Sequence, residues 1–539
     1  MKTMNIFLNN HCQINPKWLR FIIISALAIG IFFRFANLEQ KIYWGDEAFT
    51  SLWISGHTST ELMASLFTGE IIQVEDFQKY QGIFPGNNVI DTVNALAKDT
   101  PLMPPLYFAL VRCWVGVFGD SIAAIRALSA VISLFVFPAI YWLCWELFNS
   151  SLVGWIAIAL TAVCPYQVLY AQEARPYILW AVTILLSSAC LLRAIRINKP
   201  LNWGIYAIAL TASLYTHLFS VFVAVGHGIY LLILERFRLS KILMAYLIAS
   251  VGGMLAFSPW ILLILKFQEY YREQPGASIF VIAKRLIGIL PRIIIDFGSG
   301  YSDSVLKISV MLILNSLVLA FICYAFWVTI CKNPLKISAF LVIFTWFILL
   351  VTVFRDLNST SGVLLTNKRY LFPVVMGIEI SIADFLSYQL SQKKIPQRLC
   401  HIILLGLIAS GILSGAISLP SKTWWNKEVG NDYTEIVEQI NQYQNPVVIS
   451  DTKLWVIWNL IYYHKLDKSK LKLQLFTPKT LHMFNPEKTD ANISDTSTVD
   501  YGNSDLLLFY PSPGLIAKFE ASSDGKLASV NKLRLWSLK

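Results

Sequence analysis

The chain has 539 residues, of which 56% are hydrophobic and 14% charged, and its mean hydropathy is +0.56. These proportions exclude a single soluble domain and fit a polytopic membrane protein. Basic residues outnumber acidic ones 44 to 33, but they sit in short clusters between apolar runs, so membrane lipids, and no nucleic acid, are the expected partners.

Residues 1 to 17 are polar, and the apolar run 18–36 that follows is about span length, with Arg34 near its far end. It reads as a retained first helix, because no small-residue cleavage site stands out. Runs of roughly 18 to 25 apolar residues then place further spans at 121–147, 152–171, 176–196, 201–218, 219–235, 241–266, 305–331, 336–354, 369–389 and 399–419, about eleven in all. The apolar stretch 201–235 is the least regular, since Tyr215-Thr216-His217 interrupts it. With the amino terminus in the cytoplasm, Lys2, Lys17, Arg20, Arg193, Arg196, Lys199, Arg236, Arg238, Lys241, Lys332, Lys336, Lys393, Lys394 and Arg398 fall on the cytoplasmic side. The short outward turns at 172–175 and 216–218 carry only Arg175, the asymmetry that insertion physics expects. An odd number of spans puts the carboxyl terminus outside.

Three outward segments are long. The first, 37–120, mixes helix-like stretches such as Thr60 to Phe67 with the turn Pro85-Gly86-Asn87-Asn88. The second, 267–304, is basic and amphipathic, with Arg272, Lys284, Arg285 and Arg292 among apolar residues, a composition suited to the headgroup interface. The third, Arg355 to Lys368, is rich in Ser, Thr and Asn. From about 420 the chain turns polar, with β-like runs at Val447 to Ser450, Leu471 to Phe476, Leu506 to Tyr510 and Leu533 to Leu538. The expected organisation is therefore an all-α polytopic module, 1–419, that includes the outer loops, followed by a small soluble α/β domain, 420–539.

Tyr43-Trp44-Gly45-Asp46-Glu47-Ala48-Phe49-Thr50 sets two carboxylates directly outside the first span. Adjacent residues on a helix diverge by about 100°, so Asp46 and Glu47 need not share a task. Either they form a solvated, helix-capping turn, or one serves as a base whose proton affinity the aromatic surroundings raise. Thr100 to Phe108 holds three prolines in the run Pro101-Leu102-Met103-Pro104-Pro105 before Tyr107, which keeps the chain extended ahead of a helix. In Gln172-Glu173-Ala174-Arg175-Pro176-Tyr177, Glu173 and Arg175 either pair with each other or offer a cation to a lipid phosphate. Lys368 and Arg369, beside Tyr370 at the outer end of the tenth span, offer the same contact. His217 is either a satisfied interfacial histidine or a ligand contact. The eight cysteines show no CxxC spacing, and no disulfide framework, metal-ligand spacing or nucleotide loop is evident. No cofactor is called for, and a divalent cation is not indicated.

Taken in order, Gly45-Asp46-Glu47-Ala48, Pro104-Pro105-Leu106-Tyr107, Phe118-Gly119-Asp120 with Arg126, Gln172 to Tyr177 and Lys368-Arg369-Tyr370-Leu371 resemble membrane glycosyltransferases of the GT-C fold. The resemblance runs over roughly 18–390, and the nearest class is the bacterial relatives of protein O-mannosyltransferases and lipid A aminoarabinose transferases (glycosyltransferase family 39 and its neighbours). It implies a sugar donor on a polyprenyl monophosphate, an inverting transfer on the outer face of the plasma (inner) membrane, and a glycan, lipid or protein acceptor. Asp46 would then be the general base, with Glu47 positioning the acceptor or sharing the role. Arg175, Lys368 and Arg369 would meet the leaving phosphate, with Glu173, Tyr370, Tyr107 and His217 as further substrate contacts. Two departures stand out: Met103 occupies a position where many relatives have His, and the tail lacks the sugar-binding domain of eukaryotic protein mannosyltransferases. The competing readings are a transporter or lipid flippase, which would put its carboxylates near the bilayer midplane, and a glycan polymerase or ligase, which would not need Asp46-Glu47.

Overall fold

The computed structural model describes residues 17–83, 86–267, 278–298, 305–358, 368–392, 396–427, 432–463, 465–477, 501–522, 527–531 and 534–538. Lys2, Pro85, Arg272, Lys393, Lys394, Leu533 and most of the third outward segment lie outside the described residues. The chain divides into two compact units, one of Met1–Leu38, Arg126–Leu262 and Glu273–Ser421, the other of Glu39–Ile125, Leu263–Arg272 and Lys422–Lys539. The division expected from composition, at 419/420, leaves the first outer loop with the membrane module. By contacts, that loop and the carboxyl-terminal segment fall in the same unit.

The first unit is helical. Eight helices among the described residues are long and apolar enough to cross a membrane, and nine if the bent pair Ser151–Val163 and Pro165–Ala171 counts as one span. The expected count of about eleven is thereby lowered, although every expected run coincides with helix. The difference lies at 201–235, where a turn at His217 to Phe219 separates Pro200–Thr216, with 17 residues, from Ser220–Leu234, with 15. At 1.5 Å per residue the second is about 22 Å long, short of a hydrocarbon core of about 30 Å. The 21-residue helix Phe372–Gln392 is buried over nearly its whole length and forms the middle of this bundle.

Pro165 has no N–H to give, and the chain bends there by 62°. A broken helix in a low-dielectric setting exposes carbonyls that need donors. Arg34, fully buried, supplies them, donating to Thr161 O at 2.9 Å and Ala162 O at 2.5 Å. Two glycines let neighbouring helices reach the break: a Cβ on Gly30 would collide with Ala162 O, and one on Gly411 would sit 2.5 Å from Val163 O.

The second unit is α/β. Among the described residues its six strands are β1 (Thr68–Gln73), β2 (Pro446–Ser450), β3 (Lys472–Phe476), β4 (Asp505–Phe509), β5 (Leu527–Asn531) and β6 (Leu535–Leu538), in the order β1-β3-β2-β4-β6-β5. β2 is parallel to β3 and β4, and the flanking pairs are antiparallel. Strand β2 is buried at all five positions, as a central parallel strand should be. One face packs Val447, Ile449, Phe476, Leu508, Leu515 and Phe519 together. Four of the strands match the expected runs of the tail. β1 comes from the first outer loop and pairs with β3, Ile71 facing Gln474, while Gln474 Nε2 donates to Gly69 O at 2.8 Å.

Helices Gly45–Ile54, Ser59–Leu66, Val89–Asp99 and Leu106–Phe118 complete the loop's share of this unit. Thr58 and Glu61 form a reciprocal capping box at the start of the second. Asp99 ties three of them together, accepting from Trp53 Nε1 at 2.8 Å and from Ser59 Oγ at 2.6 Å. Burial raises its carboxyl above the ordinary value, against the pull of those hydrogen bonds.

Candidate functional site

In the second unit, Trp44 is extended and the chain turns helical at Gly45, so Asp46 and Glu47 occupy the first turn of Gly45–Ile54. Their environments differ. Asp46 is half-buried, whereas Glu47 is fully buried and its Oε2 lies 2.5 Å from the Lys427 ammonium, itself 2% exposed. A buried carboxylate is tolerated when a charge is paired with it. Asn459 Oδ1 accepts the Gly45 N–H at 2.8 Å, a cap supplied from a distant part of the chain, since the Trp44 side chain caps nothing. A Cβ on Gly45 would meet Trp455 Cβ at 2.8 Å, which explains a glycine at this position. Tyr107 is fully buried in the same unit, with its ring against Phe108, which in turn meets Trp53.

In the first unit, Tyr177 gathers most of the expected phosphate-side residues. Arg369 Nη1 donates to the Tyr177 hydroxyl at 2.9 Å, and the Arg369 and Arg175 guanidinium carbons lie 5.3 and 5.9 Å from its ring centre. His217 and Tyr370 have ring centres 6.0 and 6.4 Å from that ring and 5.4 Å from each other. His217 stacks on Trp180 at 4.5 Å, accepts the Phe219 N–H at Nδ1, and feels the charges of both arginines. Lys368 is anchored by its carbonyl, which accepts from Tyr166 Oη at 2.7 Å, while its side chain is half-exposed. Glu173 is buried and, with Arg369, within electrostatic reach of Tyr170. Gln172 Nε2 donates to Phe33 O and Ala36 O at 2.7 and 2.8 Å, pinning this turn to the end of the first helix. Two cations, a neutral-capable imidazole and phenols gathered around the Tyr177 ring are suited to a phosphate ester. Among the described residues, no three of the His, Cys, Asp and Glu side chains are grouped to hold a metal ion.

Sequence reasoning missed Tyr177 as a hub, and it missed Lys427, Asn459 and Trp455 altogether. The run Trp424-Trp425-Asn426-Lys427, unusually aromatic for a polar tail, was the available signal.

Among the solved structures similar to this chain, two cover nearly all of both chains. ArnT from Cupriavidus metallidurans bound to undecaprenyl phosphate superposes with a TM-score of 0.52 at 12% identity, covering 97% of this chain and 98% of that one. The same protein in the apo state gives 0.51 at 11% identity, with 97% of each chain covered. No curated protein sequence matches. These likenesses show the fold, which is GT-C-like, as the sequence motifs imply. Residues 102–263 match the family described as dolichyl-phosphate-mannose-protein mannosyltransferase, and over that segment this multi-pass membrane protein is similar to that family.

Proposed function

We propose that the protein transfers a sugar from a polyprenyl-monophosphate donor to an acceptor hydroxyl, with Asp46 as general base. The acceptor oxygen attacks the anomeric carbon and gives its proton to Asp46. The bond from that carbon to the phosphate oxygen breaks, and the carrier leaves as a phosphate dianion with inversion at carbon. Arg175, Arg369 and Lys368 hold that dianion, with Tyr177, Tyr370 and His217 around them, and Glu173 and Tyr107 completing the substrate contacts. Glu47 holds the turn that carries Asp46. The observation that carries the reading is the convergence of Arg175 and Arg369 on Tyr177, and the undecaprenyl phosphate named in the structure of the similar ArnT supports it.

The distribution of Lys and Arg supports a cytoplasmic amino terminus, placing the 420–539 domain and the chemistry on the outer side of the plasma (inner) membrane. The test is release of polyprenyl phosphate by protein in liposomes. Asp46→Asn is expected to lower the rate by about 10²–10⁴-fold, the usual worth of a general base, while the variant still inserts and purifies as a single species. Turnover at the wild-type rate would remove Asp46 from the role.

A further inference from the structure

The second unit brings residues from near position 430 and near position 460 onto Gly45 and Glu47, the neighbours of Asp46 on either side. Resting on the reading of Asp46 as the base, we infer that Lys427 and Asn459 are positioning residues for the reacting turn. The Lys427 ammonium and the Glu47 carboxylate are both buried, 2.5 Å apart, so separating them costs a buried ion pair. That pair fixes the rotation of helix Gly45–Ile54 about its own axis. Asn459 fixes its starting end through the Gly45 N–H, and Trp455, whose Cβ would lie 2.8 Å from any Cβ at position 45, fixes its depth. Asp46 is about 100° around the helix from Glu47, and it keeps a half-exposed side chain. One carboxylate of the adjacent pair thereby holds the turn, and the other, the half-exposed Asp46, is the one this reading sets toward a substrate. The tail segment completes the catalytic turn by this account, beyond any sugar or acceptor contact of its own.

The experiment uses the full chain in proteoliposomes, with the polyprenyl-lipid extract of the cells that make the protein as donor, and reads kcat and donor KM for polyprenyl phosphate release. Lys427→Met is expected to lower kcat about 10²-fold, the scale of a displacement near 1 Å at a reacting group, with donor KM within about twofold of wild type. Lys427→Arg, which keeps the charge, should recover most of the rate. Asn459→Ala should lower kcat by a smaller factor, again with KM unchanged; it carries the test if Lys427→Met does not fold. Folded Lys427→Met and Asn459→Ala proteins that turn over like wild type would overturn the inference, as would rates that fall only in proportion to the folded fraction. Asp46→Asn run alongside separates the two ideas. If that variant keeps its rate, or the wild-type protein releases no polyprenyl phosphate, the reading of Asp46 fails. If Asp46→Asn is inactive and the Lys427 and Asn459 variants are not impaired, only the positioning role fails.

Discussion

Two cations near one phenol make different demands on the chain. Arg369 spends a hydrogen bond on Tyr177 Oη, and Arg175 lies against the same ring at 5.9 Å. If both meet a leaving phosphate, Arg369→Ala should cost a charge-assisted contact, about 1.5–3 kcal/mol, read as a roughly 10- to 100-fold fall in kcat/KM for donor. Tyr177→Phe removes only the hydroxyl that orients Arg369, and about 0.5–1.5 kcal/mol is expected. Equal effects of the two, measured by initial rates over a donor series, would speak against a direct phosphate contact by Arg369. At this scale the sequence was legible where chemistry lies next to chemistry: Arg175 and Tyr177 are two residues apart, and Lys368, Arg369 and Tyr370 are consecutive. It was not legible for the Lys427 pairing, because the ion pair with Glu47 joins positions 380 residues apart; the aromatic run Trp424-Trp425-Asn426-Lys427 marks a buried stretch but does not name so distant a partner.

Elements were readable because apolar runs of membrane length have few alternatives. What periodicity could not give was how close the helices come. Gly411 and Gly406 lie on the same helix, Gln397–Ser418, and look alike in sequence. A Cβ at 411 would lie 2.5 Å from Val163 O, at the point where the chain breaks before Pro165, whereas one at 406 would meet nothing within 4 Å. Gly411→Ala is therefore expected to destabilise by about 1–3 kcal/mol through forced separation of the two helices. Gly406→Ala should be neutral or stabilising by up to about 1 kcal/mol, the helix propensity gained. Melting temperatures in one detergent decide it, and equal shifts for the two would mean that the helices do not meet closely at Gly411. The same reasoning explains the interruption at 201–235. Tyr215-Thr216-His217 marks a change of direction, and only the three-dimensional path shows that the pieces on either side, 17 and 15 residues, are short.

For the molecule as a whole, composition draws a boundary near 420, since the chain changes from apolar to polar there, but composition reports solvent and not pairing partners. The second unit is assembled from segments far apart in sequence. Strand β1, at 68–73, has its ladder partner at 472–476, and the Gly45 N–H and the Glu47 carboxylate have theirs at Asn459 and Lys427. A chain ending at 421 would therefore lose more than an appended domain. It would leave β1 without its ladder partner, the Gly45 N–H without its Asn459 cap and the buried Glu47 carboxylate without Lys427, and loss of one partner of a buried ion pair costs about 3–5 kcal/mol. Such a truncated protein is expected to insert its spans, because their hydrophobicity is untouched, and to be cleaved rapidly by protease within 39–125 while the full-length chain is protected there. Limited proteolysis with mapping of the first cuts checks this directly. Protection of 39–125 in the truncated chain would mean that the loop folds by itself and that the tail's strands and Lys427 are accessories to it. Early cuts in that loop, with the membrane helices intact, would establish that the sheet is one cooperative structure.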